Sequence, residues 1–218
     1  MAENTSSPLH DARQAAYRDL VLSAAERAFA RGGYEATRIQ TVADEAGVSV
    51  GTIYSVFGSK SELYSAVLTH RLPELLDAAR AGAANATSIF ESLVGGLDAY
   101  ILYLLKHPDY LGIHLLEHPW GIGPTRATAE QLVAYREGLD LHARILQAAM
   151  DQGVVIREDP YRLARCVMAI HQVQLWDWVE QGMKEAPEQV ASRLRRLFVE
   201  MFCIEKKNEA RAPQTEDA

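Results

Sequence analysis

Apolar residues recur at helical spacing along almost the whole chain. Tyr17, Leu20, Val21, Ala24, Ala25, Ala28 and Phe29 follow the i, i+3, i+4, i+7 rule of an amphipathic helix. Gly32-Gly33 ends that helix, because glycine admits the positive φ of a helix stop. Thr37-Arg38-Ile39-Gln40 has the form of a capping box, predicting a short second helix over 38–46. Gly47 then supplies a tight turn, Val48 an apolar plug and Ser49 a hydroxyl able to cap a third helix over 50–56. Gly58 breaks the third helix. Ser59-Lys60-Ser61-Glu62 forms a second capping box, opening a long helix through Leu63, Val67, Leu68, Leu72 and Leu75.

Past residue 85 the helices lengthen. Ile89, Phe90, Leu93, Val94, Leu97, Tyr100, Ile101, Leu104 and Leu105 mark one over 87–106, ended by His107-Pro108. A shorter helix over 109–118 gives way to a Pro/Gly stretch at 119–124, and a long helix over 126–152 stops at Gly153. Asp159-Pro160 reads as N-cap and first position of a helix to 181, and Pro187 opens the last, to 205. The one β-like stretch, 154–156, is too short for a sheet. The pattern predicts an all-α fold of about nine helices without repeats, with disordered tails at 1–13 and 206–218.

Charge adds a complication. The 218 residues carry a net charge of -7, and residues 1–64 alone hold six Lys+Arg against eight Asp+Glu. That balance is mildly unfavourable for nucleic acid, although only cations that touch phosphate count in binding. The opening residues lack a basic segment followed by an apolar run, and no apolar run approaches the roughly 20 residues of a membrane span. A cytoplasmic protein with no membrane partner is expected. Cys166 and Cys203, far apart and each within an apolar helical pattern, are expected to be reduced, buried thiols.

The run ATRIQTVADEAGVSVGTIYSVFGSKSEL at 36–63 resembles the DNA-binding domain of the TetR family of transcriptional regulators. The resemblance covers about residues 14–64. It rests on Ala-Gly-Val-Ser, Gly-Thr-Ile-Tyr, Phe57 and Ser-Lys-x-Glu-Leu at these spacings; the rest of the chain matches only in size and helical layout. The domains expected are therefore a helix-turn-helix domain at 14–64 and a ligand-binding and dimerisation domain at 65–205. A helix-turn-helix puts its second helix in the major groove, which is wide enough for it and carries an unambiguous base code. Here Val48, Ile53 and Phe57 would pack on Leu20, Ala24, Phe29 and Val42. The DNA-facing residues would be Thr37, Arg38, Ser49, Val50, Gly51, Thr52, Tyr54, Ser55 and Lys60.

The resemblance implies phosphate contacts from Thr52, Tyr54 and Lys60, and Arg38 in the first turn of the second helix could reach a phosphate or a base edge. Gly51 disfavours the helix by about 1 kcal/mol relative to alanine, which suggests that it serves close approach to DNA. Val50 and Ser55 depart from the family, which often shows a basic residue and a histidine or tyrosine there. Readout should then lean on the thymine methyl and on DNA shape.

So short a reader implies a homodimer on a palindromic operator, with half-sites about 34 to 36 Å apart. Val190, Leu194, Leu197, Phe198 and Met201 form the candidate dimer seam. By resemblance, the last two helices of each chain would pair into a four-helix bundle. A small hydrophobic or aromatic effector would bind among Tyr103, His107, Tyr110, His114, His118, Trp120, Tyr135, His142, His171 and Trp178, lowering DNA affinity. The function expected is that of a repressor, in double-stranded DNA and effector partnership, with no cofactor and no catalytic site.

His114 and His118, at i and i+4, are also a candidate metal pair, with His107, Glu117 or His142 as the completing ligand. That rival reading is an all-helical metal- or small-molecule-binding protein in which the N-terminal helices only support the fold. A third is a dimerising scaffold without DNA. The chain has no glycine-rich phosphate loop and no H-E-x-x-H.

Overall fold

A computed structural model describes residues 8–117 and 129–204. The described residues form ten helices: α1 (Pro8–Ala36), α2 (Ile39–Ala46), α3 (Val50–Phe57), α4 (Lys60–His70), α5 (Leu72–Ala84), α6 (Ile89–Lys106), α7 (Pro108–Glu117), α8 (Ala129–Asp151), α9 (Pro160–Glu180) and α10 (Pro187–Phe202). No strand occurs among them. Residues 154–156 make one isolated antiparallel bridge, Val155 to Cys203, which ties the α8–α9 connection to the end of α10.

The chain divides into two compact units. The described residues up to Pro73, with Pro108–Leu116, form one; Glu74–His107 and the described residues from Glu117 onward form the other. The expected boundary at 64 falls inside the first unit, which also takes in all of α4 and nearly all of α7.

In the first unit α1 begins at Pro8, earlier than the sequence suggests, and bends at Gly33, where φ is 69°. Its buried arc holds Val21, Leu22, Ala24, Ala25, Ala28 and Phe29, while Leu20 is 47% exposed. The arc is thus turned by a fraction of a helical step from the expected one, excluding Leu20 and admitting Leu22. Val42, Ala43, Ile53, Phe57, Leu63, Val67 and Ile113 complete this core. Glu26, buried among these residues, is neutralised by Arg71 at 2.7 Å.

The long helix expected from residue 60 is two helices. Arg71 caps α4, and Pro73 lies in the first turn of α5, where its missing N–H is tolerated; inside a continuous helix it would leave a carbonyl unpaired.

The second unit is centred on Val94, Leu139, Leu146, Met150, Val155, Leu163, Val167, Phe198 and Phe202. Two helix starts here are closed by side-chain caps. Ser88 caps α6 by accepting from the N–H of Glu91 at 3.1 Å, and Asp159 caps α9 by accepting from Arg162 at 2.8 Å. Helices α5 and α6 approach until backbones touch: a Cβ placed on Gly95 would stand 2.4 Å from the carbonyl oxygen of Gly82. Of the two thiols expected to be buried, Cys203 is, whereas Cys166 is exposed on the outward side of α9.

Candidate nucleic-acid interface

Gly47 turns the chain between α2 and α3. Its left-handed φ of 66° lets its N–H reach back to Ala43 and Asp44. Ser49 then caps α3, its hydroxyl accepting from the N–H of Thr52 at 3.0 Å and lying 2.8 Å from the Thr52 hydroxyl. Ile53 and Phe57 are buried and Val48 packs beside them, fixing which side of α3 faces outward. Ser49, Gly51, Tyr54 and Ser55 are exposed; Val50 and Thr52 are half-buried. The Ser55 hydroxyl donates to the carbonyl of Thr52 at 2.8 Å, within its own helix.

Gly51 has no structural duty within the chain. A Cβ built on it would meet only the Ser49 hydroxyl, at 3.6 Å, an ordinary van der Waals contact. The outward face is therefore lowest, and the backbone most accessible, in the first turn of α3.

Thr37 is a correction. The expected capping box is not formed: the residue at the N-cap of α2 is Arg38, which makes no side-chain cap. Thr37 is only 7% exposed, and its hydroxyl donates to the carbonyls of Gly33 at 2.7 Å and Ala28 at 3.1 Å. It closes the end of α1 rather than facing outward. Ser59 does cap α4, accepting from the N–H of Glu62 at 3.1 Å.

The cations sort into tied and available ones. Glu45 binds both Arg27 and Arg31, and Glu26 binds Arg71. Arg38 is exposed and makes no ion pair among the described residues. Lys60 is held in place without being neutralised: its ammonium donates to the carbonyl of Glu35 at 3.3 Å and lies 4.5 Å from the centre of the Tyr34 ring. Arg18 lies 4.8 Å over the ring of Phe57, the last residue of α3. Sequence reasoning missed Arg18. The signal was its place on the same arc of α1 as Val21, Ala25 and Phe29, where an arginine needs a reason.

The described effector candidates divide between the two units. Tyr110 and His114 belong to the first unit, where the Tyr110 hydroxyl donates to the carbonyl of Leu68 at 3.3 Å. Tyr103 stacks on His107 with centroids 4.2 Å apart and donates to Glu74 at 2.7 Å. Trp178 is an anchor: its indole N–H donates to the carbonyl of Glu185 at 2.9 Å, holding the α9–α10 connection. His118 and Trp120 lie outside the described residues.

What the second unit does gather is a polar group set from α6, α8 and α9. Tyr100 meets His142 edge to face at 6.0 Å, and the charge of His142 bears on His171. Burial pushes the Tyr100 phenol up to about 12. Burial, then repulsion by His142, lowers His171 to about 4, so both groups are neutral near pH 7. Burial also raises Tyr135, with the nearby Arg165 opposing it. His142 Nδ1 lies 2.7 Å from the carbonyl of Gly138; in the neutral ring it donates there, leaving Nε2 as an acceptor. Among the described residues no three His, Cys, Asp or Glu side chains come together as a metal site would need.

The dimer seam needs a second correction. Val190, Leu194 and Phe198 are 0%, 1% and 2% exposed within the single chain, so they are its own core; Leu197 is half-buried and Met201 exposed. The outward apolar stripe lies instead on α9, where Cys166, Ala169, Val173 and Trp176 recur at 3, 4, 3 spacing on the side away from Leu163, Val167 and Leu175.

Residues 21–67 match the family model described as bacterial regulatory proteins, tetR family. The chain is 26% identical over 181 residues, 83% of its own length and 93% of the relative's, to the uncharacterized HTH-type transcriptional regulator YhgD of Bacillus subtilis (strain 168). Over 87 residues, 40% of each chain, it is 33% identical to the HTH-type transcriptional activator FasR of Mycolicibacterium smegmatis. Its fold superposes with a TM-score of 0.71, at 18% identity, on a tetR-family transcription regulator from Shewanella sp. PV-4, covering 86% of this chain and 98% of that one. No described helix is long and apolar enough to cross a membrane. Residues 21–67 thus carry a domain similar to the DNA-binding domain of bacterial regulatory proteins of the tetR family.

Proposed function

We propose that this regulator is a repressor that binds a palindromic operator as a homodimer and is released by a small hydrophobic or aromatic effector. The observation that carries the operator reading is the outward face of α3, where Gly51 weakens the helix yet fills no requirement of the fold. A backbone that must come close to base edges explains such a glycine. Ser49, Val50, Gly51, Thr52, Tyr54 and Ser55 form the reading surface, Val50 offering a methyl-to-methyl contact with thymine. Arg38 and Lys60 flank that surface and hold phosphates, aided by the Thr52 and Tyr54 hydroxyls; Arg18 adds a third cation on the α1 side.

The α9 stripe of Ala169, Val173 and Trp176, continued by Leu197 and Met201 of α10, is the surface on which a second copy packs. The effector is taken up in the second unit beside Tyr100, Tyr135, His142 and His171, a few polar groups in a largely apolar core, as small-molecule sites generally are. Its binding changes the relative population of two arrangements, only one of which spans both half-sites.

Fluorescence anisotropy with labelled DNA flanking the chain's own gene tests this, run at several salt concentrations. A specific complex with salt-dependent affinity is expected, and a reporter behind that DNA should fall in output when the protein is present. Absence of a specific complex at every salt concentration refutes the operator reading. A rise in the reporter makes the protein an activator, as FasR is named.

A further inference from the structure

Helices α6 and α10 leave an open groove of about 510 Å³ between them, inside the second unit. Its volume lies in the range of about 300 to 1,000 Å³ typical of small-molecule sites. Phe90 and Val94 of α6 and Val199 of α10 give it an apolar lining, and Val94 and Val199 are themselves part of the core. Ser192, Arg196 and Glu200 follow along one side at four-residue spacing, with Arg195 beside them.

The two arginines differ. Arg195 is compensated, donating to Asp98 of α6 at 2.9 Å. Burial raises the half-buried Asp98 carboxyl and Arg195 opposes that rise, as expected of a charge pair. Arg196 makes no ion pair among the described residues, not even with Glu200 one turn on. The groove thus sets an uncompensated guanidinium and a hydroxyl at the edge of an apolar surface. Guanidinium donors form a planar fork that matches a carboxylate. No residue of this groove belongs to the polar set of Tyr100, His142 and His171.

We propose that the α6–α10 groove binds an amphipathic carboxylate, its aliphatic body against Phe90, Val94 and Val199 and its anionic head on Arg196, at a site separate from the effector site above.

Isothermal titration of the full-length protein, without DNA, with octanoate, octanol and acetate tests this. Octanoate is expected to bind, more weakly as salt rises; octanol should bind at least fivefold more weakly, and acetate not measurably. Arg196→Gln should weaken octanoate about five- to tenfold while leaving octanol unchanged. Ser192→Trp, at an exposed position that leaves folding intact, should fill the groove and remove octanoate binding. Three results overturn the proposal: no octanoate binding, equal binding of octanoate and octanol, or octanoate binding untouched by both variants. Because no DNA is present, any of these leaves the operator reading standing.

Discussion

The ammonium of Lys60 lies 4.5 Å from the centre of the Tyr34 ring and 3.3 Å from the carbonyl oxygen of Glu35. Both contacts position the charge without cancelling it, in contrast to Arg31, which Glu45 neutralises. A cation contributes to DNA affinity by displacing counterions from phosphate, so each one in contact adds about 0.9 to the slope of log affinity against log salt. Lys60→Met should therefore lower operator affinity and flatten that slope by about one. Arg31→Met should leave the slope unchanged. Anisotropy titrations at four or five salt concentrations read both; equal slopes for Lys60→Met and the parent remove Lys60 from the interface.

Gly51 separates stability from function. Since a methyl group there meets only the Ser49 hydroxyl at 3.6 Å, Gly51→Ala should stabilise the first unit by up to about 1 kcal/mol. The same methyl group stands where the DNA backbone or a base edge would approach, so operator affinity should fall at least tenfold. Thermal unfolding and operator binding measured on one preparation decide it. A more stable variant with undiminished affinity places the DNA elsewhere.

The helices and the reader were legible in the sequence because each is announced locally. Gly47, Ser49, Gly58 and Ser59 mark the ends of α2, α3 and α4, and apolar residues three and four positions apart mark the inner face of each. What was not legible depends on neighbours in space. A threonine at position 37 suits both the start of α2 and the close of α1, and only the packing shows that the second use wins. The apolar row of α10 reads equally as core or as interface; three of its five residues are core because α6 and α9 cover them. Gly82 and Gly95 read as weak points in helices, although they are where two helices touch.

Acid should act through His171. Its folded pKa, about 4, lies below the ordinary 6.5, so between these values the unfolded chain takes up a proton that the folded chain refuses. The stabilisation is therefore complete above pH 6.5 and lost as pH falls toward 4. At pH 5 this one group should remove about 2 kcal/mol relative to pH 7. His171→Leu should lose correspondingly less over that span, read as denaturant midpoints by tryptophan fluorescence. Trp176 and Trp178 lie on α9, and their signal reports on the second unit. Parallel losses in parent and variant assign the acid sensitivity to other groups.

The α5–α6 crossing should not tolerate a methyl group. Gly95→Ala places a carbon 2.4 Å from the Gly82 carbonyl oxygen, which is backbone and cannot swing aside. The helices must separate, at about 1 to 3 kcal/mol of lost stability, despite alanine's better helix propensity. Gly138→Ala, in α8 with nothing near its would-be Cβ, is the control and should be neutral or mildly stabilising. Urea unfolding of the two variants compares them; a Gly95→Ala protein as stable as the Gly138→Ala one means that the crossing is loose.

Assembly and folding separate on α9 and α10. Leu194 is 1% exposed within one chain, so Leu194→Ala should cost about 2 to 5 kcal/mol of unfolding stability through the cavity it leaves. Val173, on the outward stripe of α9, has little to lose inside the chain, and Val173→Lys should fold with nearly parental helix content. It should nevertheless sediment as a monomer, since a charge buried between two apolar helices is expensive to leave unpaired. Operator affinity should drop with it, because one reader contacts only a half-site. Sedimentation velocity and circular dichroism on the same samples distinguish the two substitutions. A dimeric Val173→Lys protein with normal operator binding moves the two-fold contact off α9, and leaves Met201 with Leu197 on α10 as the surface to substitute next.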